Sequence, residues 1–332
     1  MEETQLNNYK VLIRCSTYNH SDYIKETLNG FVIQKTNFPF LCLIMDDAST
    51  DGEQLLIKKF IEDECDPNRT KIISNDDIAE VVMAHHRANP NCVLLAYLLK
   101  INLYGTGKKE PLIKPWQNLC KYIALCEGDD YWTDPYKLQK QVDFLEANPE
   151  YGLVHTSIKR YIQSKNEFIN DERKFTISGD ALESLILGES YIATLTVCFR
   201  AELLNKIDTS YTKESFMMGD YPQWIEMSRL CKIHYIPDVT SVYRVLENSA
   251  SHSKNQLNIY KFQADVWRIR LFFVKKYGIK HLFEYIHNEY LFNVALVKIL
   301  EKKYLEGLKA YKASKMYSRI LTTLKFFIKS IK

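Results

Sequence analysis

An apolar run that ends abruptly in three acidic residues constrains the fold of this chain more than any other stretch. Residues 122–126 (Tyr-Ile-Ala-Leu-Cys) have the composition of a buried parallel strand, and Glu127, Asp129 and Asp130 follow directly. A helix start comes next, at residues 133–135 (Thr-Asp-Pro). Because ligands bind at the carboxyl ends of strands in open α/β sheets, this acidic turn is predicted to lie at a ligand-binding edge.

Two interpretations of the acidic turn are open. In the first it is an ordinary strand-to-helix connection, with Asp134 as the N-cap and Pro135 at the first helical position. That interpretation accounts for those two residues but not for the three carboxylates before them. In the second interpretation the carboxylates hold a divalent cation, and clustered hard oxygens favour Mg²⁺ or Mn²⁺ over zinc.

The part of the chain before this turn alternates between strand-like and helix-like segments. Residues 11–15 and 40–45 are β-rich apolar runs, each followed by a polar turn and then by apolar residues at helical spacing. Residues 71–74 have the composition of a third strand. This order predicts an α/β fold with a right-handed, mostly parallel sheet. The polar turns at residues 16–20 and 46–52 would then meet the acidic turn at one sheet edge.

Glycine-rich phosphate-binding motifs are missing from the sequence. No Gly-x-Gly-x-x-Gly follows the first strand, which argues against a dinucleotide enzyme. Residues 105–109 (Gly-Thr-Gly-Lys-Lys) lack the spacing of a P-loop. A nucleotide held chiefly by Asp and a metal remains as the nucleotide-binding interpretation.

Cysteine usage and hydropathy bear on the cellular compartment. The eight cysteines show no Cys-x-x-Cys spacing and several lie in apolar runs, so we expect reduced thiols and no zinc site. Residues 1–10 are polar, without the apolar stretch of a signal peptide. The longest apolar run, residues 92–99, is far shorter than the ~20 residues that span a bilayer. We therefore expect a cytoplasmic protein.

Four blocks of sequence carry a family resemblance: Ser-Thr-Tyr-Asn at 16–19, Asp-Asp-Ala-Ser-Thr-Asp at 46–51, Glu-Gly-Asp-Asp-Tyr-Trp-Thr-Asp-Pro at 127–135 and Lys-Leu-Gln-Lys-Gln at 137–141. In this order they resemble family 2 glycosyltransferases of the GT-A, or Rossmann-like, fold, of the type that builds bacterial cell-surface polysaccharides. The resemblance covers about residues 9–75 and 116–253. It implies a GT-A catalytic domain over residues 1–253, with a mostly parallel central sheet flanked by helices. Residues 76–115 depart from the family pattern.

The resemblance implies the substrates and the residues that bind the donor. It implies a metal-dependent, inverting transfer from a nucleoside-diphosphate sugar, UDP-linked, to a saccharide or lipid-linked saccharide acceptor, with no nucleic-acid partner. Asp47 and the turn after the first strand would contact the nucleobase, Asp129 the ribose or sugar, and Arg244 the phosphates. The complete donor-binding set is Ser16, Tyr18, Asn19, Asp47, Asp129 and Arg244.

The resemblance also implies a metal site and a catalytic base. Asp130 would hold Mn²⁺ or Mg²⁺, with His252 as a further ligand. Asp220, which follows Gly219, would accept the proton of the acceptor hydroxyl as that hydroxyl attacks. Each assignment has a plainer alternative: Asp220 precedes an amphipathic segment and fits a helix N-cap, and His252 fits a solvated Ser-rich loop.

Two other functions compete with the glycosyltransferase interpretation. A sugar nucleotidyltransferase also combines an α/β sheet with Asp-bound Mg²⁺, but we expect it to carry a Gly-rich, basic loop after the first strand. Residues 15–19 (Cys-Ser-Thr-Tyr-Asn) have neither feature. A catalytically inactive nucleotide-sugar-binding module is the third interpretation, and the presence of Asp130 and Asp220 argues against it.

The C-terminal part of the chain differs in charge from the rest. Residues 254–332 contain 17 Lys and Arg against 5 Asp and Glu, a net charge of +12, which leaves −9 for residues 1–253. We predict a helical, basic C-terminal region.

The last residues of this region, 309–332, predict an amphipathic helix at ~100° per residue. One arc of about 120° holds apolar side chains, and the opposite side holds basic ones. The apolar residues are Tyr317, Ile320, Leu321, Leu324, Phe327, Ile328 and Ile331, and the basic residues are Lys315, Arg319, Lys325, Lys329 and Lys332. Packing on the protein body is the alternative. The uniformly basic polar face favours peripheral binding to the anionic inner face of the cell membrane.

Overall fold

One mixed sheet of eleven strands runs through the part of the chain that this computed structural model describes, residues 9–170, 177–189, 191–246 and 255–316. The strands are β1 (Val11–Thr17), β2 (Phe40–Asp46), β3 (Cys65–Asn75), β4 (Ala79–His86), β5 (Cys92–Leu99), β6 (Tyr122–Leu125), β7 (Tyr131–Trp132), β8 (Tyr151–Ile162), β9 (Glu167–Asn170), β10 (Cys198–Arg200) and β11 (Lys232–Val245). Their order is β3-β4-β5-β2-β1-β6-β10-β8-β11-β7, and β9 pairs with β8.

The centre of the sheet is parallel. β1 pairs with β2 on one side and with β6 on the other, and β2 continues the parallel pairing to β5. Every residue of β2 and β5 is buried, as expected for strands covered by helices on both faces. This arrangement brings the carboxyl ends of β1, β2 and β6 to one edge.

Outside the centre, antiparallel pairs outnumber parallel ones, so the sheet is mixed and not mostly parallel. β3, β4 and β5 follow one another without an intervening helix, and short connections permit only antiparallel pairing. Residues 71–74 accordingly lie in an antiparallel edge strand. The parallel strand that follows β2 along the chain is β5, not residues 71–74. β5 lies within residues 76–115, which depart from the family pattern.

Nine helices of the described residues complete the fold: α1 (Ile24–Val32), α2 (Glu53–Glu64), α3 (Lys109–Gln117), α4 (Lys137–Ala147), α5 (Leu182–Leu187), α6 (Asp220–Leu230), α7 (Gln256–Tyr277), α8 (Lys280–Leu300) and α9 (Tyr304–Ala313). One sheet face packs on α1, α2 and α4 through residues such as Phe31, Phe60 and Leu138. The opposite face packs on α3, α5, α6 and α7, with Trp116 and Trp224 in the core.

The helix after the acidic turn begins later than predicted. α4 begins at Lys137, so Pro135 is not its first residue and Asp134 is not its N-cap. The Asp134 carboxylate instead accepts the backbone N–H of Tyr136 at 2.8 Å, within a turn before the helix. The reason is tertiary: the backbone N–H of Asp134 donates to the Thr240 carbonyl of β11 at 3.2 Å, which holds this residue against the sheet.

The predicted C-terminal region is helical over α7, α8 and α9. α7 and Ile286 of α8 pack into the core beneath the sheet, and the later part of α8 shares a second apolar cluster with α9 that includes Phe292 and Tyr311. The predicted domain boundary at residues 253 and 254 lies outside the described residues and stays a prediction. Of the predicted amphipathic helix, only residues 309–316 are described. Within the described residues, no helix is both long and apolar enough to cross a membrane.

Candidate active site

The acidic turn follows β6 at the carboxyl edge of the parallel strands and is held closely against β1. The backbone N–H of Gly128 donates to the Ser16 carbonyl at 3.1 Å. A Cβ atom at Gly128 would lie 2.0 Å from the Thr17 hydroxyl oxygen, so this position requires glycine. From α1, the Thr27 hydroxyl donates to the carbonyls of Gly128 and Asp130 at 2.9 and 2.7 Å. The turn is therefore fixed from two sides.

The carboxylates of the turn form an electronegative site. Asp130 is buried, and its Oδ1 accepts the backbone N–H of Arg244 at 2.7 Å. Burial, followed by the charges of Asp129 and Glu127, raises the pKa of Asp130 well above its usual range. Glu127 opens to solvent, but desolvation by the protein around it and the charges of Asp129 and Asp220 raise its pKa to about 8. A divalent cation would relieve this crowding of negative charge.

The residues present fit such a cation only in part. Among the described residues, no three His, Cys, Asp or Glu side chains converge into a metal-binding cluster. The predicted further ligand, His252, lies outside the described residues. Mg²⁺ in nucleotide sites is commonly bound by one or two carboxylates together with substrate phosphates, and Asp129 and Asp130 suit that mode.

Arg244 lies directly behind the acidic turn. Its Nε donates to the Asp129 carbonyl at 2.8 Å, and its remaining nitrogens contact Gln163 at 2.6 Å and the Glu26 carboxylate. The guanidinium lies over the Tyr23 ring, 4.7 Å from the centroid. It lines a cavity of about 400 Å³ together with Asp22, Tyr23, Glu26, Tyr131, Tyr161, Gln163 and Phe168. Arg244 thus positions the turn, and its contact with a phosphate stays a prediction.

The polar turn after β1 presents the predicted Ser16, Tyr18 and Asn19 at the same edge, and all three are exposed. Asn19 adopts a φ of 56°, a left-handed conformation that Asn tolerates better than most residues. Its side-chain oxygen accepts the Thr50 N–H at 2.8 Å, which joins the turns after β1 and β2. The motifs at 16–19 and 46–51 therefore meet, and Ser16 joins them to the acidic turn through its carbonyl.

Two site residues were not predicted from the sequence. Glu53 is buried and accepts hydrogen bonds from Thr17, from the His20 backbone at 2.8 Å and from Ser49 at 2.9 Å, so it organises both turns. The His20 ring in turn lies 4.0 Å from the Asp129 carboxylate. His20 and Glu53 closely follow the motifs at 16–19 and 46–51, and this proximity is the sequence signal by which they could have been found.

Asp47, the predicted nucleobase contact, is buried and already paired. Its Oδ2 lies 2.5 Å from the Lys109 ammonium, and its Oδ1 accepts the Leu103 backbone N–H at 2.7 Å. Lys109 is a third residue that the sequence reasoning missed. It belongs to the Gly-Thr-Gly-Lys-Lys stretch, which lacks the spacing of a P-loop.

Asp220 is the first residue of α6, and Gly219 is the N-cap. The half-buried Asp220 carboxylate accepts the Thr194 hydroxyl at 2.7 Å and the Tyr221 backbone N–H at 2.8 Å. Burial raises the pKa of Asp220, and the Thr194 hydrogen bond opposes that shift. Thr194 and its neighbour Leu195 link Asp220 to the acidic turn, because the Leu195 carbonyl accepts the indole N–H of Trp132 at 2.8 Å. The Asp220 charge also contributes to the raised pKa of Glu127.

Known proteins resemble this chain in sequence over part of their length. No family model matches the chain. It is 32% identical over 242 residues to the uncharacterized proteins Rv1520 of Mycobacterium tuberculosis and Mb1547 of Mycobacterium bovis. The match covers 71% of this chain but 59% of each relative, so it spans about three fifths of their length.

Solved glycosyltransferase structures share the fold. TarS 1-349 of S. aureus, solved with UDP-GlcNAc, aligns with a TM-score of 0.52 at 14% identity over 93% of this chain and 91% of that chain. The mannosyltransferase PcManGT of Pyrobaculum calidifontis, solved with GDP-Man and Mn²⁺, aligns with a TM-score of 0.50 at 15% identity over 98% and 86%. The predicted α/β, GT-A-like fold is confirmed, and membership of family 2 stays a prediction.

Proposed function

We propose that this chain transfers a sugar from a nucleoside-diphosphate sugar, UDP-linked, to a saccharide or lipid-linked saccharide acceptor, with inversion. The observation that carries the proposal is the link from Asp220 through Thr194 and Leu195 to Trp132, beside the acidic turn of a GT-A-like sheet. The ligands of the structural neighbours, UDP-GlcNAc and GDP-Man, support a nucleotide-sugar donor. The choice of UDP rests on the sequence resemblance.

Asp220 acts as the general base. The acceptor hydroxyl oxygen attacks the anomeric carbon, the bond from that carbon to the diphosphate oxygen breaks, and the hydroxyl proton passes to the Asp220 carboxylate. Burial makes this carboxylate a stronger base than an exposed aspartate, and Thr194 holds its orientation. A single displacement of this kind inverts the anomeric configuration.

Asp130 would hold the Mn²⁺ or Mg²⁺ that accompanies the donor diphosphate, with His252 as the proposed further ligand. A cation bound there would supply Lewis-acid stabilisation of the charge that develops on the departing diphosphate. The Arg244 backbone N–H orients the Asp130 carboxylate toward this task, and Asp129 faces the ribose or sugar. Ser16, Tyr18, Asn19 and Asp47 form the nucleobase side of the donor site.

The test is to incubate the protein with a panel of UDP-sugars and Mn²⁺ and to measure the release of UDP. Slow hydrolysis of one donor supports a glycosyltransferase. Release of pyrophosphate from a nucleoside triphosphate and a sugar phosphate would indicate a nucleotidyltransferase instead. Binding of a nucleotide sugar without turnover under any condition would indicate an inactive binding module.

The metal assignment has its own test in Asp130→Asn. The amide keeps an oxygen but loses the charge that attracts the cation, so we expect UDP binding to lose its dependence on Mn²⁺. Titration of UDP with and without Mn²⁺ measures this. Asp143→Asn, at an exposed position on α4, is the matched control and should bind like the wild type. An unchanged Mn²⁺ dependence in Asp130→Asn would show that the assignment is wrong.

A further inference from the structure

One surface segment covers the buried Asp47. Residues 102–109, here called the cover segment, supply a partner to each oxygen of the Asp47 carboxylate: the Leu103 N–H at 2.7 Å and the Lys109 ammonium at 2.5 Å. The Asn102 side chain also donates to the Asp47 backbone carbonyl at 3.0 Å. The Asp47 residue is 2% exposed as a result, so a ligand cannot reach its carboxylate while the cover segment is in place.

Apart from these contacts with Asp47, the cover segment is largely exposed. Leu103 is its one buried side chain, and Tyr104 is 85% exposed. Gly105 and Gly107 have φ values of 71° and 72°, and a Cβ at either would meet nothing within 4 Å. Internal hydrogen bonds, such as Thr106 Oγ1 to the Leu103 carbonyl at 2.8 Å, keep the segment in a compact turn. The residues between Leu103 and Lys109 therefore make few contacts with the rest of the protein that movement would break.

Asp47 lies where the proposed function requires the nucleobase. It follows β2 at the carboxyl edge, and its backbone N–H donates to the Thr17 carbonyl of β1 at 3.0 Å. The exposed turn with Ser16 and Tyr18 is next to it. A nucleobase bound at this edge therefore meets the cover segment before it meets Asp47.

We propose that the cover segment closes the base subsite in the free protein and is released when a nucleobase N–H replaces Lys109 on Asp47. This inference rests on the proposed function and extends it to the ligand chemistry: the base carries a ring N–H, as uracil and guanine do. An exchange of partners is required because a buried carboxylate that loses its cation without replacement is strongly destabilised. The base N–H supplies the new partner as the ammonium moves into water.

The closed cover segment lowers the apparent affinity of the free protein for nucleotide, because the segment must be released before the base can bind. The apparent Kd is the intrinsic Kd divided by the fraction of molecules that are open. Any change that favours the open form therefore strengthens nucleotide binding. Lys109 and its neighbour Lys108 make this testable, because only Lys109 pairs with Asp47.

Hydrogen exchange in the wild-type protein tests the proposal directly. The Leu103 amide is protected by Asp47 in the closed form, so saturating UDP or GDP with Mn²⁺ should speed exchange across residues 102–109 by about tenfold. Residues 16–20 should become more protected in the same experiment. Slower or unchanged exchange at 102–109 on nucleotide binding would overturn the cover-segment proposal alone. If neither nucleotide binds, the proposed function fails and this inference fails with it.

Variants supply a second readout. Lys109→Met should bind UDP or GDP more tightly than the wild type, by about threefold to tenfold, because no ion pair has to be broken before the base enters. Lys108→Met is the matched control and should bind like the wild type. Equal or weaker binding by Lys109→Met would overturn the proposal, and weaker binding would make Lys109 a ligand contact. The exchange experiment decides the matter if Lys109→Met does not fold.

Discussion

Asp220 stands at the start of α6 and is also the proposed general base, and one conservative substitution separates these two roles. Asp220→Asn keeps the shape of the side chain: the amide oxygen can still accept the Tyr221 N–H, and the amide NH2 can donate to the Thr194 hydroxyl oxygen. We expect turnover to fall by about 10² to 10⁴, the usual contribution of a general base, with nucleotide affinity unchanged. Steady-state kinetics and nucleotide titration check this expectation.

A capping aspartate elsewhere in the chain provides the control. The Asp208 carboxylate accepts the Ser210 N–H at 2.8 Å at the start of a 3-10 turn and pairs with Lys276 at 2.8 Å. Asp208→Asn should lower the melting temperature and leave turnover intact. If Asp220→Asn behaves in the same way, Asp220 only stabilises the start of α6.

His155 makes stability depend on pH. It is fully buried in β8, where Nε2 contacts the Ile177 carbonyl at 3.2 Å and Nδ1 has no hydrogen-bond partner among the described residues. Burial lowers the pKa of His155 to about 4. The unfolded chain therefore binds a proton near pH 6.5 that the folded chain does not, and stability is lost as pH falls from 6.5 to 4.

The expected size of the His155 effect is roughly 3 kcal/mol over that pH window. Urea unfolding of the wild type and of His155→Gln at pH 7 and pH 4.5 measures it. The loss of stability between the two pH values should be smaller in His155→Gln. His281→Gln, at an exposed position on α8, should keep the full wild-type dependence. An equal loss of unfolding free energy between pH 7 and pH 4.5 in the wild type and in His155→Gln would contradict the prediction.

At the scale of elements, the site depends on the close approach of the acidic turn to β1. Gly128→Ala would place a methyl group 2.0 Å from the Thr17 hydroxyl oxygen and 2.5 Å from its Cβ. We expect a loss of about 1 to 3 kcal/mol in the free energy of unfolding, as for other overpacked sites. Nucleotide binding should weaken as well, because the turn and the end of β1 must separate. Denaturant unfolding and nucleotide titration measure the two effects.

Gly219→Ala is the matched control for that substitution. A Cβ at Gly219 would meet nothing within 4 Å, and the residue has a φ of −93°, which alanine adopts readily. Its stability should lie within about 0.5 kcal/mol of the wild type. If Gly128→Ala is equally harmless, the acidic turn and β1 can separate freely and the acidic turn is not rigid.

At the scale of the whole molecule, basic charge and exposed apolar side chains occur together on the surface of α9. α9 exposes Leu305 (78%) and Leu308 (40%) beside the exposed Lys309 and Lys312. Residues three and four apart lie on one helix face, so these side chains form a single basic and apolar strip. This strip precedes the predicted amphipathic helix and supports binding to an anionic membrane surface, which would suit a lipid-linked acceptor.

A truncation tests membrane binding without damage to the described fold. The chain should end at Met316, because Tyr311 packs against Phe292 and a shorter chain would remove that contact. We expect the full-length protein to sediment with anionic liposomes at low salt, and the truncated chain to bind more weakly, since each cation near the surface contributes about 1 kcal/mol. High salt and neutral liposomes are the controls. Equal, salt-insensitive sedimentation of both chains would contradict the prediction.

The sequence by itself determined the elements whose signals are local. Apolar runs located β1, β2 and β6, and the acidic residues after β6 predicted the carboxylate site, because strand burial and chain polarity place strand ends at one sheet edge. The order of the motifs predicted the α/β class and the GT-A-like fold. Helical spacing predicted α1, α2 and α4, although the start of α4 was wrong by two residues.

Only the tertiary structure decided which distant groups meet. The antiparallel side of the sheet, the pairing of Lys109 with Asp47 and the contact of Arg244 with Asp130 join residues far apart in the chain. Arg244 and Asp130 are 114 positions apart, and no local propensity encodes such a pair. The physical reason is that burial, partner choice and pKa depend on what packs around a side chain. Asp47 and Asp129 are the same residue type in the sequence. The Asp47 carboxylate is buried against Lys109, whereas the Asp129 carboxylate is partly exposed at the acidic turn.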